Sequence, residues 1–550
     1  MAVNIEFLQL SGMEKIFLDS ECKDKKEINT LTALKGERVS YQIIYTMSGG
    51  YFKHPVKVKA EHDNRIKTEL REVLNVPAQL PARAEDNDGF YERTAPGLYP
   101  DILNPIKDNE IYANENCHSL YVTCRIPEDM EAGVYTVKTV FSYNEETVVK
   151  TLNIKVLDYI LPKQKITYTQ WFHTDCIADY YGLEVFSNEH WQMIEKFIET
   201  AAKTGINMIL TPVFTPPLDT EIGYERTTVQ LADVCYKNNT YTFGFDKLKK
   251  WIEICKKYGI EKFEISHLFT QWGTGKAPKI MVDTENGTEK RFGWHTDALG
   301  AEYKAFLDAF LPALVQFLKS EGVYDNTYFH VSDEPEYERD YKTYKAEYEM
   351  VSKIVPPEKI MDAMGDYRFC EEGLSKKPVV VTSSAEKFIE HGFDDIWVYY
   401  CCLPVNGKYS NRLLAMPLGR TRIMGIQMYK YNVDGFLHWG YNFYNSRLSK
   451  RAVNPFMVTD ADEDFPAGDP FSVYPGEDGA LESLRSEAFF AGLQDNAACR
   501  LLESCIGREE TVKLIESDGE ITFNKYPYSN EGITGIRERV NQKLEEVLKQ

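Results

Sequence analysis

The sequence is short of positive charge, of long apolar runs and of paired cysteines, and each shortage closes off a class of function. A formal charge of -21 makes a poor partner for nucleic acid, whose phosphates need a basic surface, and for anionic membrane. No apolar run approaches the ~20 residues needed to span a bilayer. The N-terminus, Met1-Ala2-Val3-Asn4-Ile5-Glu6-Phe7, has no basic stretch followed by an apolar one, so no signal peptide is read and a cytoplasmic protein is expected. The eleven cysteines (22, 117, 124, 176, 235, 255, 370, 401, 402, 499, 505) show no CxxC pairing. They read as reduced, mostly buried thiols, and Cys401-Cys402 as strand core rather than a redox pair. There is no HExxH for zinc, no GxSxG elbow for a serine nucleophile and no glycine-rich phosphate loop, so no cofactor is expected.

What is present is a globular chain. Hydrophobic residues make up 43% and aromatics 13% of 550 residues, enough for two to four domains with sizeable cores. Residues 1–160 read as β structure, with short strands at 39–46 and 119–126. A hairpin is expected over 134–156, where Val148, Leu152, Ile154 and Val156 alternate with polar residues beyond a turn at 143–146. The absence of long helical patterns makes this a β-sandwich. A Pro/Asn/Asp-rich excursion at 83–116, containing Pro96-Gly97-Leu98-Tyr99-Pro100-Asp101, is expected to be a packed loop reaching toward the next domain.

Past Leu161-Pro162 the pattern changes to strands alternating with helices. Helices at 190–204 and 246–258 each bury one apolar face and end in a glycine that opens a new strand, Gly205 and Gly259, the turn between a helix and a parallel strand. Eight strands are counted, at 166–173, 207–213, 262–268, 326–332, 359–364, 378–382, 395–401 and 434–441. This predicts a (β/α)8 TIM barrel over 161–505; an open doubly wound sheet is the competing architecture. Pro312 is expected to kink or interrupt the helix 301–320, the fifth helix near 367–376 is weak, and residues 506–550 read as a helical extension packed on the barrel.

In a barrel the chemistry sits where strands finish. The fourth strand finishes in His330-Val331-Ser332-Asp333-Glu334-Pro335. Two readings stand side by side: a helix start, with Ser332 or Asp333 as cap and a proline in the first turn, or a pair of catalytic carboxyls, with Glu334 held extended before proline. The other strand ends supply Trp171 and His173, His267 and Trp272, Tyr367, Tyr399, and His438, Trp439 and Asn442. Aromatic platforms with a few carboxyls and amides suit a sugar ring. His173, His267 and His438 form no recognisable metal spacing. Strand seven ends in tyrosines, with Asp394 and Asp395 at its wrong end, so no carboxylate nucleophile is evident. A 2-acetamido group on the substrate can serve instead, its carbonyl oxygen attacking the anomeric carbon.

The acid tip, the run Gly435-Phe436-Leu437-His438-Trp439-Gly440-Tyr441-Asn442, and Gly468-Asp469-Pro470-Phe471 followed by Tyr474-Pro475-Gly476 and Leu484-Arg485 together resemble glycoside hydrolase family 123. The resemblance extends to the Pro-Gly-Leu-Tyr-Pro-Asp segment of the first domain. It implies a β-sandwich followed by a (β/α)8 barrel with C-terminal helices, and a retaining, exo-acting β-N-acetylgalactosaminidase that works by substrate assistance through an oxazolinium. Asp333 then takes the acetamido-stabilising role and Glu334 the acid/base role. Tyr399 is placed against the acetamido oxygen and Trp439 as the floor of the sugar site. Asn442 and Asp469 are candidates for sugar hydroxyls, or Asp469 for holding its own proline-rich loop. The alternatives are the same scaffold acting on β-GlcNAc or a β-galactoside, or a non-catalytic carbohydrate-binding protein. The expected partner is a glycan or glycoside.

Overall fold

The computed structural model describes residues 3–21, 25–50, 52–62, 65–273 and 275–549. The N-terminal part is two five-stranded sheets. One has the order Asn4–Ser11, Arg38–Ser48, His118–Arg125, Lys67–Ala78, Gly97–Pro105; the other runs Thr30–Lys35, Glu146–Ile160, Gly133–Tyr143, His54–Glu61, Glu110–Ala113. Tyr41, Ile43 and Val122 of the first meet Val58, Phe141 and Ile154 of the second in one buried core, the packing of a sandwich. The expected hairpin pairs Tyr143 with Glu146. Val137, Leu152 and Ile154 point inward while Lys138 and Thr151 face solvent, the period-2 alternation that places a strand on a half-buried sheet.

The excursion at 83–116 is not a loop throughout. Gly97–Pro105 is an edge strand paired antiparallel with Lys67–Ala78, and Glu110–Ala113 closes the edge of the other sheet. Its prolines hid this, yet an edge strand has one side with no ladder to complete and tolerates them. Its Tyr99 and Asp101 are buried.

The second part is a barrel whose strands we number β1 (Thr167–Gln170), β2 (Met208–Thr211), β3 (Lys262–Ile265), β4 (Thr327–Phe329), β5 (Met361–Met364), β6 (Lys377–Val381), β7 (Trp397–Tyr399) and β8 (Gly435–His438). They are parallel, in the order β4-β3-β2-β1-β8-β7-β6-β5, and a bridge between Phe329 and Ile360 brings β4 to β5 and nearly closes the ring. Seven of the eight strands are shorter than the ranges expected from sequence, β6 being the exception. The helix Ala301–Ser320 passes Pro312 without a break. Pro312 and Asp308, whose carbonyl loses its partner, are both exposed, so water satisfies what the proline removes. The weak fifth helix is a single turn, Arg368–Glu371. Among the described residues no helix is long and apolar enough to cross a membrane. No disulfide links the described cysteines; Cys22 lies outside them, as do Met1 and Ala2.

The helix Leu484–Ile506, which follows β8, docks the barrel onto the sandwich. Gln494 hydrogen-bonds both the N–H and the carbonyl of Arg38, each at 2.8 Å. Arg71 of the sandwich meets Glu487 at 2.7 Å. Arg485, fully buried, holds Asp101 at 2.8 Å, and Tyr474 donates to the same carboxylate at 2.7 Å. The helices Arg508–Ile515 and Asn530–Leu548 pack on it in a cluster that also takes Leu34 and Leu157 from the sandwich. A buried ion pair is expensive to break, because the partner left behind is an unpaired charge in a dry site. Asp101→Ala therefore lowers the urea midpoint by the equivalent of about 3–5 kcal/mol; an unchanged midpoint contradicts this account of the docking.

Candidate active site

β4 stops at Phe329, and a loop carries the chain to the helix Tyr337–Ser352. The helix is capped without Ser332: the Glu336 N–H donates to Asp340 at 2.8 Å, while the Ser332 hydroxyl donates to the Thr270 carbonyl at 2.8 Å. Glu334 is not extended. Its φ is +45°, a left-handed conformation costly for a residue with a Cβ and disfavoured further by the following proline. Extended backbone sends neighbouring side chains to opposite faces; this turn brings Asp333 and Glu334 to the same one.

Both acids line a cavity of about 110 Å³ at the C-terminal mouth of the barrel, with Trp171, Trp272, Tyr399 and Trp439. The Tyr399 hydroxyl donates to Glu334 at 2.6 Å. The Trp272 backbone N–H donates to the Asp333 carbonyl at 2.9 Å, tying the β3 loop to the acid tip. Burial pushes Asp333 well above the ordinary carboxyl range, and the neighbouring Glu334 charge pushes it further. Burial also raises Glu334, against the lowering effect of the Tyr399 hydrogen bond. Both carboxyls therefore hold their protons to higher pH than a free carboxyl does.

Under the pair lies a buried polar cluster. His330 places Nε2 2.9 Å from Glu264 and Nδ1 3.4 Å from Asp362. Burial opposes its charge, but contact with Asp362 and Glu264 wins and moves the imidazole up to about 9. Glu264 also accepts from Trp171 Nε1 at 3.0 Å and from Thr169. Asp362 accepts from the Val331 N–H at 2.9 Å and the Tyr344 hydroxyl at 2.7 Å. An imidazolium clamped between two carboxylates thus fixes the strand that carries the acids, and its charge opposes the upward shift of Asp333.

Trp439 lines the same cavity and is held in place from outside it. Its Nε1 donates to Asp469 at 3.0 Å, and Phe443 and Phe465 pack edgewise against its ring. Gly440 permits this, since a Cβ there would lie 2.3 Å from the Pro470 carbonyl oxygen. Asp469 is fully buried, and burial carries its carboxyl up to about 7.

Of the expected sugar-contacting residues, Trp171, Trp272, Tyr399 and Trp439 line the cavity with the acids, and six do not. The Asn442 side chain accepts from the His173 N–H at 2.8 Å and donates to the His173 carbonyl at 3.0 Å, and the His173 ring spans Arg226 and the Trp439 carbonyl. His438 accepts from Arg412 at 2.8 Å and from the Gly440 N–H at 3.0 Å. His267 is buried, stacked 4.3 Å from His330. Asp469 sits behind Trp439, and Tyr367 stacks on His391 at 3.8 Å, away from the cavity. His173, His438 and Asn442, at strand ends, and Asp469, in the loop after β8, support the Trp439 segment from outside the cavity. Among the described residues no group of three or more His, Cys, Asp or Glu is placed to hold a metal ion.

Three features of the wall escaped the sequence reading. Asp219, with φ +41°, brings a third carboxyl to the cavity; burial raises it to about 6 and the Leu448 N–H donates to it at 2.8 Å. It lies in the loop after β2, six residues beyond the end of the strand expected at 207–213. Phe465 comes from the proline-rich loop after β8, where no periodicity marks it. Cys401 and Cys402 line the wall past the end of β7 and are not strand core.

A family model described as the glycoside hydrolase 123 catalytic domain matches residues 171–502. Among solved structures, a family 123 glycoside hydrolase from Clostridium perfringens, solved for the details of glycolipid glycan hydrolysis, aligns with TM-score 0.74. It is 15% identical, with 99% of this chain and 98% of that chain covered. Apo β-glucuronidase 3 from Bacteroides uniformis aligns at TM-score 0.31 and 11% identity, over 90% of this chain and 52% of that one, too weakly to carry an argument. No curated protein matches.

The raised Asp469 carboxyl makes a stability prediction. A group with a folded pKa above its unfolded value favours the fold fully below the unfolded pKa, near 4, and loses that contribution as pH rises through the folded one, here about 7. Asp469→Asn keeps an acceptor for Trp439 and removes the titration. The fall in Tm between pH 5 and pH 8 shrinks in the variant; an equal fall in both proteins contradicts the assignment.

Proposed function

Because the chain belongs to glycoside hydrolase family 123, and is therefore a glycoside hydrolase, we propose that it removes terminal β-linked N-acetylgalactosamine with retention, using the substrate's own acetamido group as nucleophile. The observation that carries this reading is the adjacency of Asp333 and Glu334 on one cavity wall, with Tyr399 bonded to Glu334. Two neighbouring acids cannot flank a sugar as acid and nucleophile ~5 to 5.5 Å apart on opposite sides of the bond. They can serve one acetamido sugar together. Asp333 accepts the acetamido N–H and stabilises the positive oxazolinium, while Glu334 protonates the leaving oxygen and then draws the proton from water. Trp439 forms the floor for the ring.

Tyr399 links binding to protonation. Its hydroxyl donates to Glu334 and favours the carboxylate. When an acetamido oxygen takes that hydroxyl, Glu334 loses the stabilisation and shifts toward the protonated acid that the leaving oxygen needs. Residues 161–505 are the segment that carries the activity, with 1–160 and 506–550 supporting it, and short glycans in the cytoplasm are the proposed substrates. A second reading rests on Asp219: if the acetamido group is dispensable, this third carboxyl is the candidate nucleophile.

A panel of aryl β-glycosides separates the two. The first reading expects turnover of 2-acetamido substrates, indifference to β-galactoside, and inhibition by the matching thiazoline; efficient β-galactoside cleavage overturns it in favour of Asp219. Glu334→Gln lowers turnover ~100- to 10,000-fold, least with the best leaving groups, and undiminished turnover removes Glu334 from the mechanism. Tyr399→Phe deletes the hydrogen bond that lowers Glu334, so the alkaline limb of the kcat/KM profile moves to higher pH and KM rises. An unmoved limb contradicts the link.

A further inference from the structure

Past the end of β7 the chain places two thiols side by side on the cavity wall. The Cys401 and Cys402 sulfurs are 3.9 Å apart, both side chains are partly exposed, and both line the cavity that holds Asp333 and Glu334. The Cys401 thiol faces the Leu403 carbonyl at 3.6 Å.

Two fates are open to such a pair, and geometry separates them. A disulfide between neighbours is strained: consecutive Cα atoms lie ~3.8 Å apart across a trans peptide, below the ~4.4–6.8 Å that disulfides span. A bridging atom fits better. Two sulfurs bonded at ~2.3 Å to one tetrahedral centre are ~3.8 Å apart, close to the separation seen, and somewhat nearer on a pyramidal one. A zinc ion needs further ligands, and among the described residues no group of three or more His, Cys, Asp or Glu is placed to give them. A trivalent arsenical carries its own third substituent and needs only two thiols.

We propose that Cys401 and Cys402 form a vicinal-dithiol site that takes a monosubstituted trivalent arsenical across its two sulfurs, filling the cavity beside the acid pair. The step balances without an oxidant: two S–H groups and R–As(OH)2 give a cyclic R–As(S)2 and two waters, arsenic staying trivalent. The hydrogen bond with Cys402, and then burial, push the Cys401 thiol well above its ordinary range and keep it protonated, which suits a condensation that consumes thiols and releases no net proton.

The test uses the full chain and phenylarsine oxide. Intact-mass measurement shows one adduct, removed by 2,3-dimercaptopropanol and resistant to a monothiol at equal thiol concentration. Cys401→Ser and Cys402→Ser each abolish that dithiol-only adduct, with circular dichroism confirming that the variants fold; either one alone suffices. Hydrolysis of the aryl glycoside falls in proportion to the adduct fraction, each variant measured against its own untreated rate. This last arm alone rests on the hydrolase activity. Absence of the adduct on the wild-type chain, or its persistence in a folded single variant, overturns the site; a full adduct with an unchanged rate overturns its placement in the cavity.

Discussion

The barrel mouth depends on one unfavourable backbone conformation. Glu334 stands at φ +45° before a proline, where sterics cost of order 1–3 kcal/mol, and that turn is what faces two consecutive carboxyls into one cavity. Such a conformation persists only where the surroundings over-determine it. Here Trp272 binds the Asp333 carbonyl, Ser332 binds the β3 loop, and Tyr399 holds the Glu334 carboxyl. Below them the His330 imidazolium, clamped by Glu264 and Asp362, locks the strand itself.

The same logic runs from the sandwich to the indole floor. Asp101 on an edge strand pairs with Arg485, and Arg485 also donates to the Gly468 carbonyl. The next residue, Asp469, holds the Trp439 indole. The segments at 96–101, 435–442 and 468–485, far apart in sequence, are therefore successive links of one chain of contacts. Breaking the buried pair reaches the cavity wall through Gly468, without touching any group that lines it.

Much of this was legible in the residues. The eight barrel strands could be counted because short strand-forming segments alternate with amphipathic helices, and helix-ending glycines punctuate them. The Gly97–Pro105 strand was not, since two prolines mask an edge strand that needs only one ladder. The acid pair was visible as a strand tip, but the left-handed turn that orients it was not, because local rules place a residue before proline in the extended region. His173, His267, His438 and Asn442 were read toward sugar for a related reason: sequence locates a strand end without telling which way its side chains point. His438 and Trp439 are neighbours, yet one faces Arg412 and the other the cavity. Asp219 and Phe465 sit in loops whose course only tertiary contacts define.

The central claim is that the acetamido oxygen, not a protein carboxylate, attacks the anomeric carbon. It is tested most directly by a series of aryl β-glycosides whose 2-acetamido group carries zero to three fluorines, each fluorine weakening the carbonyl oxygen as a nucleophile while leaving the sugar and leaving group unchanged. The account predicts that kcat falls steeply with each fluorine. A kcat indifferent to fluorination would contradict it and place the nucleophile on the protein.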